Sequence, residues 1–187
     1  MKVFETKLPG VLVLEPEVFS DSRGGFMETW SKRRYEDVGI NEDFVQDNVS
    51  FSRKGVLRGL HYQFPHSQGK LIQVLSGEVF DVAVDIRVGS ATFGKWVGEI
   101  LSGDNHRQLY IRPGFAHGFY VMSETAVFSY KCTDYYNREA ECGIIWNDPE
   151  LNINWPGEDP LLSAKDMAYP SLKNIEPEKL PRFEEDS

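Results

Sequence analysis

One stretch of the chain decides the fold, and it reads Leu71-Ile72-Gln73-Val74-Leu75-Ser76-Gly77-Glu78-Val79-Phe80-Asp81-Val82-Ala83-Val84-Asp85-Ile86-Arg87-Val88. Two apolar runs, Leu71–Leu75 and Val79–Val88, flank the turn residues Ser76-Gly77-Glu78. In the second run, large apolar residues occupy every other position, and Asp81, Ala83, Asp85 and Arg87 stand between them. Because side chains alternate across a strand, this pattern predicts two β-strands joined by a glycine turn.

Similar short apolar runs continue outward on both sides of this stretch. Further strands are predicted at Val11–Leu14, Trp96–Leu101, Gln108–Ile111, Phe119–Met122 and Thr125–Thr133. Glycine or proline interrupts many of the joins, which is typical of turns. Many short strands at this spacing predict an all-β sandwich, jelly roll or barrel.

Helical signals are few, and no linker or internal repeat divides the chain. Ser31 is a candidate N-cap for a short helix that ends near Gly39. The segment Ser163-Ala164-Lys165-Asp166 resembles a helix capping box. We therefore expect a single domain over residues 1–187, whose last ~15 residues, rich in proline and charge, run over the surface.

Composition excludes several classes of function. The 187 residues are 41% hydrophobic and 13% aromatic, which is typical of an ordered globular protein. The net charge of −9 argues against electrostatic binding of nucleic acid or of an anionic membrane. The sequence contains no run approaching the ~20 apolar residues of a membrane helix and no signal-peptide core. With only Cys132 and Cys142 present, we expect reduced thiols and a cytoplasmic protein.

The segment Leu57-Arg58-Gly59-Leu60-His61-Tyr62-Gln63, followed by Lys70, is the first candidate site. Arginine grips phosphate with a forked contact, and histidine moves protons near neutral pH. Strand alternation puts His61 and Gln63 on one face and Arg58 on the other, unless Gly59 introduces a bulge. The structural alternative is a hydrogen-bonded core histidine.

The segment Pro113-Gly114-Phe115-Ala116-His117-Gly118-Phe119 supplies a second histidine. Taken alone, it reads as a turn followed by an incidental histidine. Together, His61 and His117 form half of a possible metal site, since metal-binding double-stranded β-helices usually carry His-x-His. The second position of that pair is Gln63, a poor ligand for most transition metals, so a catalytic metal is disfavoured.

Two further side chains have both a structural and a functional interpretation. Tyr130 shares a strand face with Phe128 and Cys132, which suits either a core tyrosine or a general acid. Asp166 either completes the Ser163 cap or orients His61, and the spacing alone does not decide between them. Neither a Walker A loop nor a Gly-x-Gly-x-x-Gly pattern occurs in the sequence.

Taken in order, these segments resemble the dTDP-4-dehydrorhamnose 3,5-epimerases, dTDP-sugar epimerases of the cupin superfamily. The resemblance extends from about Pro16 to Asp166, and no single motif within it would be specific. The motifs that carry it are Asp21-Ser22-Arg23-Gly24 through Glu28, Phe44-Val45-Gln46-Asp47-Asn48, Val56 to Gln63, Gln68-Gly69-Lys70-Leu71, Gly77 to Asp85, Pro113 to Phe119, Tyr130-Lys131-Cys132-Thr133, Trp146-Asn147-Asp148 and Leu162 to Asp166.

The resemblance implies a cupin-type double-stranded β-helix, or jelly-roll barrel, that works without a metal or cofactor. It implies a homodimer whose subunits share site residues, and a dTDP-4-keto-6-deoxy sugar substrate whose C3 and C5 are inverted. Four residues match catalytic positions: His61, Tyr130, Asp166 and Lys70. Others match substrate-binding positions: Arg23, Phe26, Glu28, Gln46, Asp47, Asn48, Arg58, Gln63, His117, Tyr135, Glu141 and Lys165.

Three alternatives to the double epimerase remain open at this point. A mono-epimerase that inverts only C3 or C5 of a related dTDP-4-keto-6-deoxy sugar would share the fold and much of the site. A non-catalytic cupin that binds sugar nucleotides would not depend on His61. A metal-dependent cupin oxygenase would lose its activity on chelation.

Overall fold

The computed structural model describes residues 1–183, which form mainly antiparallel β-strands. The strands are β1 (Lys2–Glu5), β2 (Val11–Glu15), β3 (Val18–Asp21), β4 (Gly24–Met27), β5 (Gln46–Arg53), β6 (Leu57–Gln63), β7 (Lys70–Ser76), β8 (Glu78–Asp85), β9 (Trp96–Ser102), β10 (Gln108–Ile111), β11 (Phe115–Val121), β12 (Thr125–Cys132) and β13 (Glu141–Gly143). One α-helix, α1 (Lys32–Glu36), and two short 3-10 turns, Leu172–Asn174 and Pro177–Lys179, accompany them in this part of the chain.

Two sheets pack face to face around the main core. The first has the strand order β1-β2-β10-β7-β12-β5, and the second has the order β13-β6-β11-β8-β9. Buried side chains from both sheets meet between them, including Ile72 and Phe128 from the first and Ala83 and Phe119 from the second. The rings of Phe119 and Phe128 stack with their centroids 4.0 Å apart. The expected all-β, cupin-type jelly roll is thereby confirmed.

The stretch that predicted the fold contributes one strand to each sheet. β7 belongs to the six-stranded sheet and β8 to the five-stranded sheet, so the chain crosses between the sheets at Gly77. Gly77 has φ +83°, and a Cβ there would lie 2.1 Å from the Thr125 carbonyl oxygen. Only glycine fits this crossing.

The bounds of two predicted strands were wrong. The strand predicted to reach Val88 ends at Asp85, because the Asp85 carboxylate accepts hydrogen bonds from Arg87, Ser90 and Thr92 and closes a turn there. The strand predicted from Phe119 begins at Phe115, directly after the Pro113-Gly114 turn.

The outer faces of both sheets are covered by irregular segments. Leu151, Leu172 and Leu180 are buried against the five-stranded sheet, and the Val88 N–H donates to the Pro181 carbonyl at 2.8 Å. The Phe183 N–H donates in turn to the Val88 carbonyl at 3.0 Å, so the C-terminal segment is held beside the end of β8 up to residue 183. Helix α1 buries Tyr35 against the other sheet, and Ser31 at its N-cap makes no side-chain capping bond. Residues 163–166 form a turn instead of the start of a helix.

The most exposed phenylalanines lie on the β3–β4 hairpin and on strand β5. Strands β3 and β4 form a separate two-stranded sheet, in which Phe19 is 52% and Phe26 71% exposed. Strand β5, at the edge of the six-stranded sheet, exposes Val49 and Phe51. Within residues 1–183, no helix is long and apolar enough to cross a membrane. Cys132 and Cys142 are both free thiols.

Candidate active site

A bulge on β6 turns the key heptapeptide toward the space between the sheets. Its register with β11 pairs His61 with His117 and then Arg58 with Phe119, so β6 carries one extra residue. Gly59 permits this with φ +141° and a backbone so close to Gly118 that a Cβ would lie 2.5 Å from the Gly118 Cα. The bulge anticipated at Gly59 is confirmed, and Arg58 and His61 both line one cavity.

That cavity has a volume of about 340 Å³ and opens between the two sheets. The five-stranded sheet contributes His61, Arg58, His117 and Glu141, whereas the six-stranded sheet contributes Lys70, Tyr130, Gln46 and Asn48. His61 and Tyr130 therefore approach a common space from opposite sheets. A small ring bound between them would have one group on each face.

His61 is paired with Asp166. The imidazole Nε2 lies 2.6 Å from Asp166 Oδ1, and the Asp166 N–H also bonds Ser163 Oγ at 3.1 Å. Asp166 thus takes part in both arrangements that the sequence left open. Burial acts to raise the Asp166 pKa, but the His61 and Ser163 hydrogen bonds and the nearby charges outweigh it and hold the pKa below its ordinary value. With Nε2–H donating to this carboxylate, a neutral ring keeps Nδ1 as a proton acceptor.

Lys70 is the buried cation of the site. Its side chain lies at the start of β7, opposite Cys132 on β12, and the residue is 8% exposed. The ammonium group forms no hydrogen bond or ion pair with any residue from 1 to 183. Burial lowers the Lys70 pKa, while Cys132 and Asp81 oppose that shift. Such a cation is suited to hold negative charge that develops on a ligand.

Tyr130 stands two residues before Cys132 on β12, with its ring centroid 5.8 Å from that of Phe128. Burial raises the Tyr130 pKa, an effect that Arg58 opposes. The phenol therefore stays protonated at neutral pH and retains a proton to donate.

His117 has a buried acidic partner that the sequence analysis missed. Its Nε2 lies 2.9 and 3.0 Å from the two oxygens of Asp81, which is fully buried on β8. Strand alternation does put Asp81 on the interior face, but only the pairing of β8 with β11 brings the two side chains together. Within residues 1–183, no three His, Cys, Asp or Glu side chains are grouped in a way that could hold a metal ion.

Gln63 uses its amide to fasten the loop after β12. Its Nε2 donates to the carbonyls of His66 and Tyr135, and its Oε1 accepts from the Asn137 N–H at 2.8 Å. Gln46 holds the same loop by accepting from the Tyr136 N–H at 2.9 Å. The loop is thus tied to both sheets.

The tyrosine that this loop presents to the cavity is Tyr136, which the sequence analysis did not single out. Its hydroxyl donates to Glu141 Oε2 at 2.9 Å, and Lys165 donates to Glu141 Oε1 at 2.5 Å. The Tyr135 side chain is 65% exposed and lies outside the cavity lining. Tyr136, Glu141 and Lys165 form a polar rim.

The remaining predicted residues lie away from the cavity of their own chain. Arg23 pairs with Asp21, and Glu28 lies 3.4 Å from Arg34, both on or beside the exposed hairpin of β3 and β4. Phe26 projects from the same hairpin. Asp47 points to the opposite face of β5 from its neighbours, where it pairs with Lys131 at 2.8 Å.

Known proteins share this architecture along nearly the whole chain. The dTDP-4-dehydrorhamnose 3,5-epimerase of Shigella flexneri is 56% identical over 169 residues, which cover 89% of this chain and 93% of that protein. The crystal structure of a dTDP-6-deoxy-D-glucose-3,5-epimerase from Legionella pneumophila Philadelphia 1, in complex with dTDP-4-keto-L-rhamnose, matches with a TM-score of 0.96 at 56% identity, covering 98% of both chains.

A more distant relative among solved structures has the same fold. A 3'-monoepimerase from Streptomyces bikiniensis, in complex with dTDP-quinovose, matches with a TM-score of 0.89 at 32% identity, covering 95% of this chain and 91% of that one. The family model for dTDP-4-dehydrorhamnose 3,5-epimerase matches residues 5–174. By sequence, fold and site, this chain belongs to the dTDP-4-dehydrorhamnose 3,5-epimerase family.

Proposed function

We infer that this protein is a dTDP-4-dehydrorhamnose 3,5-epimerase. It converts dTDP-4-dehydro-6-deoxy-D-glucose into dTDP-4-dehydro-L-rhamnose by inverting C3 and C5. The observation that carries this inference is the position of His61 and Tyr130 on opposite sheets across one cavity. Inversion requires that a proton leave one face of the sugar and return to the other.

The first half of each inversion is proton removal by His61. The C4 ketone acidifies the hydrogens on C3 and C5, so a neutral imidazole can abstract either of them. The C–H electron pair forms a double bond to C4, and the carbonyl π pair moves onto the C4 oxygen, giving an enolate. Asp166, 2.6 Å from Nε2, stabilises the imidazolium that forms.

The enolate oxygen needs a positive partner, and Lys70 supplies it. Its ammonium is buried and has no partner among residues 1–183, so the interaction with the enolate is not weakened by a competing ion pair. Tyr130 then donates its phenolic proton to the carbon from the opposite face. The imidazolium and the phenolate return to their starting states by exchange with solvent, so the reaction needs no cofactor.

The rim and the arginines suit the nucleotide part of the substrate. Arg58 is exposed at the cavity edge, where its Nε donates to Ser52 Oγ at 3.2 Å, and a guanidinium there can hold the diphosphate. The Tyr136 ring is suited to stack on the base, while Glu141 and Lys165 can bind polar groups of the ligand.

The decisive test uses deuterated water. The protein is incubated with the dTDP-4-keto sugar, and deuterium at C3 and C5 is followed by NMR. Deuterium at both positions, with the L-configured product, is expected. Incorporation at only one position would identify a mono-epimerase instead, and none at either would refute the epimerase assignment.

We propose that the active unit is a homodimer in which the β3–β4 hairpin of one subunit completes the site of the other. Arg23, Phe26 and Glu28 lie on or beside this hairpin, outside the cavity of their own chain, and Phe26 is 71% exposed. The exposed Val49 and Phe51 on edge strand β5 offer an apolar surface for a partner.

Subunit mixing tests this arrangement. Arg23→Ala and His61→Ala homodimers are each expected to have little activity, because every site carries a defect. In a random mixture, half of the dimers are mixed and each has one intact site, so about a quarter of the wild-type activity should return. No recovery would mean that Arg23 acts in the same site as its own His61.

We also propose that the chain acts in the cytoplasm and that residues 1–187 form one catalytic domain. The free thiols of Cys132 and Cys142 support the first point, because oxidising compartments favour disulfides. The core shared by both sheets supports the second.

A further inference from the structure

Tyr169 is a partly buried tyrosine beside the site, and its buried hydroxyl has no assigned task. It lies three residues after Asp166, and its buried hydroxyl oxygen lies near the Lys165 ammonium but forms no hydrogen bond of ordinary geometry with any residue from 1 to 183. Burial raises the Tyr169 pKa to about 12, which leaves the phenol neutral at physiological pH. A buried hydroxyl without a well-formed hydrogen bond is unfavourable, so the ring that carries it is expected to have a compensating use.

The ring occupies a space that a missing side chain opens. Gly143 on β13 pairs with His61 on β6, and a Cβ at Gly143 would lie 2.4 to 2.6 Å from three atoms of the Tyr169 ring. From this position, Tyr169 meets the His61 imidazole edge to face, with ring centroids 5.8 Å apart and an interplanar angle of 68°. Tyr169 does not line the cavity itself.

We propose that Tyr169 is a positioning residue that fixes the orientation of the His61 ring. The inference rests on the proposed function, since it concerns how His61 is aimed at the sugar. The hydrogen bond to Asp166 holds the imidazole only at Nε2, so the tilt of the ring plane is not fixed by it. The His61 side chain is 33% exposed, so packing does not enclose it fully. The edge of Tyr169 supplies a second point of contact, and Gly143 makes room for it.

A double-mutant cycle with Gly143 tests this proposal. Tyr169→Ala is expected to lower kcat about tenfold with KM within twofold of wild type, since a misaimed base slows chemistry more than binding. Tyr169→Phe keeps the ring and should retain at least half of kcat. Gly143→Ala should displace the intact Tyr169 ring and cause a loss similar to that of Tyr169→Ala. The double variant should be no slower than Tyr169→Ala alone, because the displaced ring is already gone.

A spectroscopic measurement separates positioning from general loss of structure. The Nε2–H proton of His61, held by Asp166, is expected as a downfield NMR signal in the wild type and in Tyr169→Phe. It should broaden or vanish in Tyr169→Ala and Gly143→Ala while their Tm stays within a few degrees of wild type. If Tyr169→Ala does not fold, Gly143→Ala carries the test alone.

The results also distinguish this inference from the proposed function. Wild-type protein that does not epimerise the dTDP-4-keto sugar would overturn both. An active wild type would overturn only the role of Tyr169 if Tyr169→Ala or Gly143→Ala kept full kcat. The role of Tyr169 would also be overturned if the kcat losses of the two single variants multiplied in the double variant, or if the variants raised KM without changing kcat.

Discussion

Replacing Tyr130 by Phe should uncouple proton exchange from inversion. The substitution keeps the ring, which packs 5.8 Å from Phe128, so stability should change by no more than about 1 kcal/mol. His61, Asp166 and Lys70 remain, so the enolate still forms. The imidazole can only return a deuteron to the face from which it took the proton. Removing a general acid costs about 10²- to 10⁴-fold in rate, or roughly 3 to 5 kcal/mol in the barrier to inversion.

The assay is single-turnover NMR in deuterated water, with exchange at C3 and C5 and the appearance of the L-sugar followed in the same sample. Exchange with retention should continue at a rate near that of the wild type, while inversion slows by the factor above. The reasoning would be refuted by a Tyr130→Phe variant that inverts at the wild-type rate. It would equally be refuted by a parallel loss of exchange and inversion, which would give Tyr130 a part in forming the enolate.

Three further predictions follow from the pKa shifts and the glycine at the bulge. Asp166→Asn should lower kcat by about 10²- to 10⁴-fold, since the amide cannot stabilise the imidazolium. The folded-state pKa of Asp166 is depressed, so the stability that its carboxylate contributes is complete above the ordinary carboxyl pKa and is lost as the pH falls through the depressed value. In urea titrations below about pH 5, the unfolding free energy of Asp166→Asn should therefore fall less steeply than that of the wild type. Lys70→Met should lower kcat by about 10²- to 10³-fold. In the wild type, kcat should fall at alkaline pH as Lys70 loses its proton, and the lowered Lys70 pKa moves this loss to lower pH. The alkaline loss should be absent from Lys70→Arg, because arginine stays charged. Gly59→Ala should lower the free energy of unfolding in denaturant titrations by about 3 kcal/mol or more. As a control, Gly89 has φ +92° and open space around it, so Gly89→Ala should cost only the backbone strain of about 1 to 2 kcal/mol. Equal losses would contradict the close approach of Gly59 to Gly118.

The strands could be predicted because each depends on a local pattern. The sequence shows the alternation of apolar and polar residues over positions 79–85, which forms strand β8, and the glycine at position 77, which lets the chain cross between the sheets. The end of β8 at Asp85 was not predictable from alternation, because it depends on a turn that the Asp85 side chain builds with residues up to seven positions later.

The site was harder to predict, because its geometry comes from contacts between distant strands. Motif resemblance identified His61, Lys70 and Tyr130, and the structure brings them to one cavity. Alternation places Asp81 on the interior face but does not identify His117 as its partner, and Tyr169 carries no local signal; each contact forms only when β8 or the segment after Asp166 packs beside a histidine. Tyr135 and Tyr136 are adjacent in sequence, and only the hydrogen bonds of the loop decide which one faces the cavity.

The amide of Gln63 has a consequence for redesign of this barrel. Two of its three hydrogen bonds, to the Tyr135 carbonyl and from the Asn137 N–H, anchor the segment that presents Tyr136. A histidine at this position, introduced to build the His-x-His pair of a metallo-cupin, would remove these hydrogen bonds. It would thereby also weaken the proposed contact of Tyr136 with the nucleotide. Metal binding and sugar-nucleotide recognition thus make opposing demands on one side chain, and after the substitution the Gln46 amide would still hold the loop at Tyr136.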